Sequence, residues 1–201
     1  MHKWISLLLV GILAAAMMAA PAQKDSPCDR ACLEGFADQY LAAMVAHDAS
    51  KAPLAKKLIF TENGIVLPPT EGLWFTASGL GDFKFYIADP QTGQVAWMGI
   101  AKEHDKPVLL SLRLKVENRQ ITEAEQLVVR GSLNENNLAN LLKMPHTFSQ
   151  PLAPSERVSR REMIRISSVY FDGIEQLDGK IVPFDSECYR VENGMVTAGA
   201  F

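Results

Sequence analysis

The chain has 201 residues, with 20 Lys and Arg against 23 Asp and Glu, a formal charge of −3 and 48% apolar residues. That length suits one domain or two small ones, with enough apolar residues for a core. The slight acidity argues against a protein whose main task is gripping DNA or RNA. A composition with 21% charged residues and dispersed aromatics excludes a disordered chain, a collagen and a long coiled coil.

Residues 1–22 read as an export signal. His2 and Lys3 form a short basic start, Ile5–Leu13 an apolar run, and Ala20-Pro21-Ala22 an A-x-A cleavage pattern with Met18-Ala19-Ala20 as the alternative. Trp4–Ala22 approaches the length of a membrane span, but the small residues at its end and the polar Gln23-Lys24-Asp25 exit favour cleavage after Ala22. The remaining chain is expected in the periplasm or outside the cell, with no stable membrane span. No Cys directly follows the cleavage region, so a lipid anchor there is not expected.

An oxidising compartment permits disulfides, and the chain has three cysteines, Cys28, Cys32 and Cys188. Cys28 and Cys32 are one helical turn apart, a poor disulfide geometry inside a regular helix. The pair becomes possible where Cys28 lies in a bent first turn, and Cys32–Cys188 is the alternative that joins the two ends. No further His or Cys sits at ligand spacing, so no metal is expected.

The first helix pattern starts with Ser26 as N-cap and Pro27 at the first helical position. Leu33, Phe36, Ala37, Tyr40, Leu41, Met44 and Val45 continue it to His47 at three-four spacing. A turn around Pro53 leads to a strand beginning at Glu62-Asn63-Gly64. Phe83–Ala88, Gln94–Glu103, Val108–Glu117 and Ile121–Arg130 then read as an antiparallel meander joined by short turns. In the third of these, Val108, Leu110, Leu112, Leu114 and Val116 form a buried phase, and Ser111, Arg113, Lys115 and Glu117 the wetter one. Ser132 and Glu135 suggest a capping box for a short helix through Lys143, and 144–155 is a Pro-rich linker. Ser159 and Glu162 form a second capping box, after which Met163, Ile166, Tyr170, Ile174 and Leu177 carry an apolar stripe to Gly179.

The chain repeats itself at an offset of 130 without a gap. Tyr40 falls on Tyr170, Asp48 on Asp178, Pro53 on Pro183, Glu62-Asn63-Gly64 on Glu192-Asn193-Gly194, and Val66 on Val196. The expected architecture is α+β: an N-terminal helix packed on a curved antiparallel sheet, cone-like, followed by a partial second copy. It divides into the signal 1–22, one α+β unit 23–143, the linker 144–155 and an incomplete second unit 156–201. The second copy stops at Phe201 during its first strand, which reads as a fragment in preference to a degenerate copy. A longer end would also supply a partner for Cys188.

Several motifs resemble a family of secreted bacterial and fungal proteins of unknown function. They are Cys28-Asp29-Arg30-Ala31-Cys32-Leu33, Asp38-Gln39-Tyr40-Leu41, His47-Asp48, Thr61-Glu62-Asn63-Gly64, Gly72-Leu73-Trp74, Ala88-Asp89-Pro90, Leu112–Val116, Ile121-Thr122-Glu123 and Tyr189–Gly194. The first unit also resembles the nuclear-transport-factor-2-like (ketosteroid-isomerase-like, SnoaL-like) cone fold. That resemblance implies a helix-lined cone with an apolar pocket, a scaffold serving isomerases, dehydratases, lyases, binding modules and dimerisation domains. It carries over no catalytic residue, since fold alone does not imply function.

Positions shared by both copies are expected to hold the fold, so Tyr40 reads first as structural, with an oxyanion donor as its alternative role. Glu123 and Glu125 alternate in phase with Ile121, Leu127 and Val129. If that phase lines the cone, desolvation and mutual repulsion raise at least one pKa, as acid–base catalysis requires. The bland alternative is a strand start with both acids in water. Trp74, Tyr86 and Trp97 either line a pocket for a ring-shaped ligand or fill the core. His104 reads as part of a solvated hairpin turn and His47 as a helix terminus. Gly79-Leu80-Gly81 precedes a strand, so it is not a phosphate cradle.

The leading functional reading is a pocket for a small, partly apolar organic molecule, with cofactor-free isomerase, dehydratase or lyase chemistry at Tyr40, Glu123 and Glu125. A non-catalytic binding module and a structural domain that forms a homodimer through its sheet are the alternatives. A filled cone with an apolar outer sheet would favour the last.

Overall fold

A computed structural model of the protein describes residues 28–131, 133–143 and 150–199. The expected export signal, its expected cleavage site and Ser26 lie outside these residues. Helix α1 spans Arg30–Val45, starting later than the Ser26 reading. Its N-cap is Asp29, whose carboxylate accepts from the Cys32 N–H at 2.9 Å. This start leaves Cys28 outside the helix, free to turn back. Its Cα comes to 5.3 Å from that of Cys32, and the two form a disulfide. Cys188 is a free, exposed thiol.

Along α1, Leu33, Phe36, Ala37, Tyr40, Leu41 and Met44 are buried, at about 1.5–3 kcal/mol for each large side chain. The helix ends with His47 in the left-handed region at φ 51°. Asp48 then caps a 3-10 turn, Ala49–Lys51, by accepting from Ser50 N–H at 3.1 Å.

Strands β1 (Leu54–Glu62) and β2 (Ile65–Val66) form a hairpin. Asn63 and Gly64, at φ 49° and 81°, make the two-residue type I′ turn that Asn-Gly favours. Glu62-Asn63-Gly64 therefore ends a strand rather than beginning one. A single helical turn, α2 (Leu73–Thr76), leads into β3 (Ala77–Asp89), β4 (Gln94–Glu103), β5 (Lys106–Glu117) and β6 (Gln120–Val129). These four form the expected antiparallel meander, with β1 added parallel to β6, giving the order β2-β1-β6-β5-β4-β3. The two-residue turns between β4 and β5 and between β5 and β6 also use left-handed pairs, His104-Asp105 and Asn118-Arg119.

The inner face of the sheet carries Val95, Trp97, Leu110, Leu112, Leu114 and Ala124 against α1. One end of the outer face is covered by α3 (Glu135–Leu142), whose Leu141 packs with Phe83, Ile100 and Leu109. The cap of α3 is Asn134, accepting from Asn137 N–H at 2.9 Å. The capping residue is thus two positions later than the predicted Ser132, which is outside the described residues.

After this unit, α4 (Arg160–Glu175) starts where predicted, capped by Ser159 accepting from Glu162 N–H at 3.2 Å. It ends short of Gly179 and is followed by a 3-10 turn and the hairpin β7 (Arg190–Glu192) and β8 (Met195–Ala198). The offset of 130 holds in the backbone as well as in the sequence. Both helices, both 3-10 turns, the left-handed His47 and Leu177, and the hairpin pairs Asn63-Gly64 and Asn193-Gly194 correspond. The fold is α+β, a helix on a curved sheet followed by a partial second copy. Among the described residues no helix is long and apolar enough to cross a membrane.

Candidate functional site

On the inner face the polar chemistry centres on Tyr40, which is 0% exposed. Its hydroxyl oxygen accepts from Trp74 Nε1 at 2.7 Å and from Gln126 Nε2 at 3.1 Å. The rings of Tyr40 and Trp74 meet edge-to-face, with centroids 5.2 Å apart. Burial pushes the Tyr40 hydroxyl well above its usual pKa against the lowering effect of its two donors, so it stays neutral. Trp97 fills the same face at 1% exposure. Among the described residues, the Gln126 Oε1 on that face is buried without a hydrogen-bond partner.

Glu62, at the end of β1, is buried beside this group. It accepts from Leu73 N–H at 2.7 Å and from Arg130 Nη2 at 2.9 Å. Gly72 makes that approach possible, because a Cβ there would stand 2.3 Å from the Glu62 carboxylate. Arg130 also bonds Glu103 through Nε at 2.7 Å and Nη2 at 2.9 Å. The bond from Arg130 is the main reason the Glu103 carboxyl sits below its ordinary range. His47 donates from Nδ1 to the Trp74 carbonyl at 2.7 Å; the carbonyl can only accept, which assigns the proton to Nδ1.

Glu123 and Glu125 lie on the other side of the sheet. Ile121 pairs with Val116, but Glu123 pairs with Lys115, so Thr122 is an extra residue in β6. Such a bulge reverses the alternation. Ile121 is buried inward, and beyond the bulge Ala124, Gln126 and Val128 take the buried phase. Both carboxylates instead meet Arg113 outside: Nη2 bonds Glu123 at 3.0 Å and Nε bonds Glu125 at 2.9 Å. Gln94 receives a third bond from Nη1 at 3.1 Å. Burial works against the Arg113 charge, but these carboxylates outweigh it and hold its pKa above the usual range. The arrangement holds both carboxylates as partners of one guanidinium.

Of the predicted pocket residues, Trp97 lines the outer-face groove around Glu125. Trp74 and Trp97 are core residues, and Tyr86 is half-buried, donating its hydroxyl to Asp38. The space around Glu125 is a groove on the outer face of about 220 Å³, flanked by Phe85, Ile87, Met98, Ser111 and Leu127. Glu62, Gln126 and Arg130 were not singled out from the sequence. Gln126 could have been, as the polar residue of β6's inner phase, once the bulge at Thr122 was known. Among the described residues no group of three or more His, Cys, Asp or Glu could hold a metal ion.

A family described as a domain of unknown function (DUF8021) matches residues 156–200, the partial second copy. No curated protein matches the sequence significantly. Among the solved structures that resemble the chain at low identity are two with named sources. One is AclR, "a putative hydroxylase from Streptomyces galilaeus", at 13% identity and TM-score 0.39, covering 72% of this chain and 99% of that one. The other is a protein of unknown function with a cystatin-like fold from Methylobium petroleophilum, at 12% identity and TM-score 0.41, covering 67% and 99%. Neither likeness assigns an activity.

Proposed function

We propose that the protein is an exported, non-catalytic assembly module that pairs with a second copy of itself through the outer face of its sheet. The observation that carries this reading is the packed interior, where Tyr40, Trp74, Trp97, Leu110, Leu112 and Leu114 fill the space between α1 and the sheet. The outer groove, at about 220 Å³, is below the roughly 300–1,000 Å³ usual for small-molecule sites. Around it Ile59, Ile87, Met98 and Leu127 are exposed, a spread of apolar surface of the kind that marks interfaces. The same face carries Arg113 and Lys115 beside Glu123 and Glu125. Across a two-fold axis such a mixed row can place cations of one copy against carboxylates of the other. Export is supported by the signal pattern of residues 1–22 and by the Cys28–Cys32 disulfide.

Sedimentation equilibrium tests the assembly reading. The protein is expected at twice its monomer mass at tens of micromolar, and Leu127→Asp is expected to return it to the monomer with an unchanged far-UV spectrum. A wild-type monomer at that concentration would contradict the proposal.

A second reading, a small-molecule site inside the cone at Tyr40, is favoured by one observation: among the described residues, Gln126 Oε1 is buried without a partner on that face. Ligand entry there would perturb Trp74 and Trp97, so their emission in a screen of small apolar carbonyl compounds decides it.

A further inference from the structure

The Cys28–Cys32 disulfide lies against a cation. Arg119, in the turn between β5 and β6, donates from Nη1 to Cys32 Sγ at 2.8 Å, across 87 positions of sequence. Both cysteines are half-buried at the edge of the core rather than sealed inside it.

Arg119 holds this place in a backbone conformation that suits it poorly. It is the second residue of its turn, at φ 61°, in the left-handed region that disfavours any residue with a Cβ. In the β1–β2 turn the same position is taken by Gly64, at φ 81°. A long side chain kept where glycine is easier points to a task for that side chain.

The other charges near Cys32 are largely spoken for. Arg30 pairs with Glu34 at 2.7 Å, and Glu117 pairs with Lys115 at 3.0 Å. Asp29 accepts from Cys32 N–H at 2.9 Å and opposes negative charge on the sulfur. Cys32 is also in the first turn of α1, where the N-terminal N–H groups favour an anion. The guanidinium is the group in contact with the sulfur itself, and a sulfur beside a cation leaves more readily as a thiolate.

We propose that Cys28–Cys32 is a thiol-exchange site, at which the thiolate of a small thiol attacks Cys28 Sγ and Cys32 departs as a thiolate held by Arg119. A bond forms between the incoming sulfur and Cys28 as the Cys28–Cys32 bond breaks, and the electron pair of that bond goes to Cys32 Sγ. One disulfide replaces another, so the step needs no further oxidant, and return attack by Cys32 releases the thiol unchanged. The exchange is stoichiometric, one thiol per chain. None of the three residues lines the outer groove, so the test of this site and that of self-association fail independently.

The probe is reduced glutathione, added in excess to the full chain. Samples are quenched at intervals with N-ethylmaleimide and cut with trypsin, which separates Cys28 from Cys32 at Arg30. Mass spectrometry is expected to find glutathione on Cys28 and N-ethylmaleimide on Cys32. Arg119→Met, at an exposed turn position, is expected to open about tenfold more slowly, and Arg119→Lys, which keeps the charge, to recover part of the rate. A guanidinium that only braced the turn would have the opposite effect, since its removal would loosen the segment and speed opening. Three results would overturn the proposal: a disulfide that glutathione leaves closed, glutathione on Cys32 with the label on Cys28, or Arg119→Met opening as fast as the wild type or faster.

Discussion

Replacing Tyr40 by Phe removes a single oxygen and leaves the ring in its edge-to-face contact with Trp74. What remains is a pair of buried donors, Trp74 Nε1 and Gln126 Nε2, that had shared that oxygen at 2.7 and 3.1 Å. An unsatisfied buried donor costs about 1–3 kcal/mol. Gln126 Nε2 keeps a contact with Met44 Sδ at 3.4 Å, so one donor bears the full cost and the other part of it. The expected loss is about 3 kcal/mol, or roughly 10 °C in Tm, read by urea and thermal unfolding. Tyr170→Phe is an internal control. It makes the same chemical change at the equivalent position of the second copy, on a helix whose only buried residue is Gly173, and should alter stability by less than about 0.5 kcal/mol. Equal effects at the two positions, or a Tyr40→Phe loss below about 0.5 kcal/mol, would refute the view that the hydroxyl organises the interior.

Three more outcomes follow from other contacts. Arg130→Met leaves the buried Glu62 carboxylate with Leu73 N–H as its remaining bond and should cost about 2 kcal/mol by urea unfolding, with partial recovery in Arg130→Lys. Arg160 grips Asp89 with both terminal nitrogens, one of them at 2.7 Å, and this holds the Asp89 carboxyl down at about 2. A depressed carboxyl stabilises the folded contact fully above its ordinary pKa and loses that effect as pH falls through the lowered value. Hydrogen exchange of α4 should therefore quicken as pH is lowered from the ordinary carboxylate range towards 2, after correction for intrinsic rates, and Asp89→Asn should remove that pH dependence. Reducing Cys28–Cys32 opens a short loop, and the expected cost is about 2 kcal/mol, seen as a lower Tm with reductant that Cys32→Ser reproduces.

The elements that could be read from the sequence were those whose pattern is local. The β4 and β5 strands follow from apolar alternation bounded by turns, and Ser159 followed by Glu162 marks the start of α4 because a cap acts within one helical turn. Both other helix starts were misplaced for one reason. Several residues near each could cap, and the structure uses Asp29 and Asn134, the ones immediately before the first helical residue. The parallel pairing of β1 with β6 joins segments more than sixty residues apart, and no local pattern announces it. The side of the sheet taken by Glu123 and Glu125 depended on a single inserted residue, Thr122. Strict alternation from Ile121 sends them inward, whereas the bulge sends them out to Arg113 and brings Gln126 in to Tyr40. Glu62 was recognised only as part of a repeated motif, because its partner Arg130 meets it through tertiary folding.

The proposed pairing of two copies puts the outer face of the sheet, rather than the interior, at the centre of the protein's role. Ser111 lines the groove at the middle of that face. A Ser111→Cys substitution in a Cys188→Ser background therefore places one reportable thiol there while leaving Cys28–Cys32 intact. On mild oxidation the proposed pairing predicts a covalent dimer on a non-reducing gel, lost when Leu127→Asp is added. A protein that stays monomeric under oxidation, or that cross-links equally well with Leu127→Asp present, would contradict it.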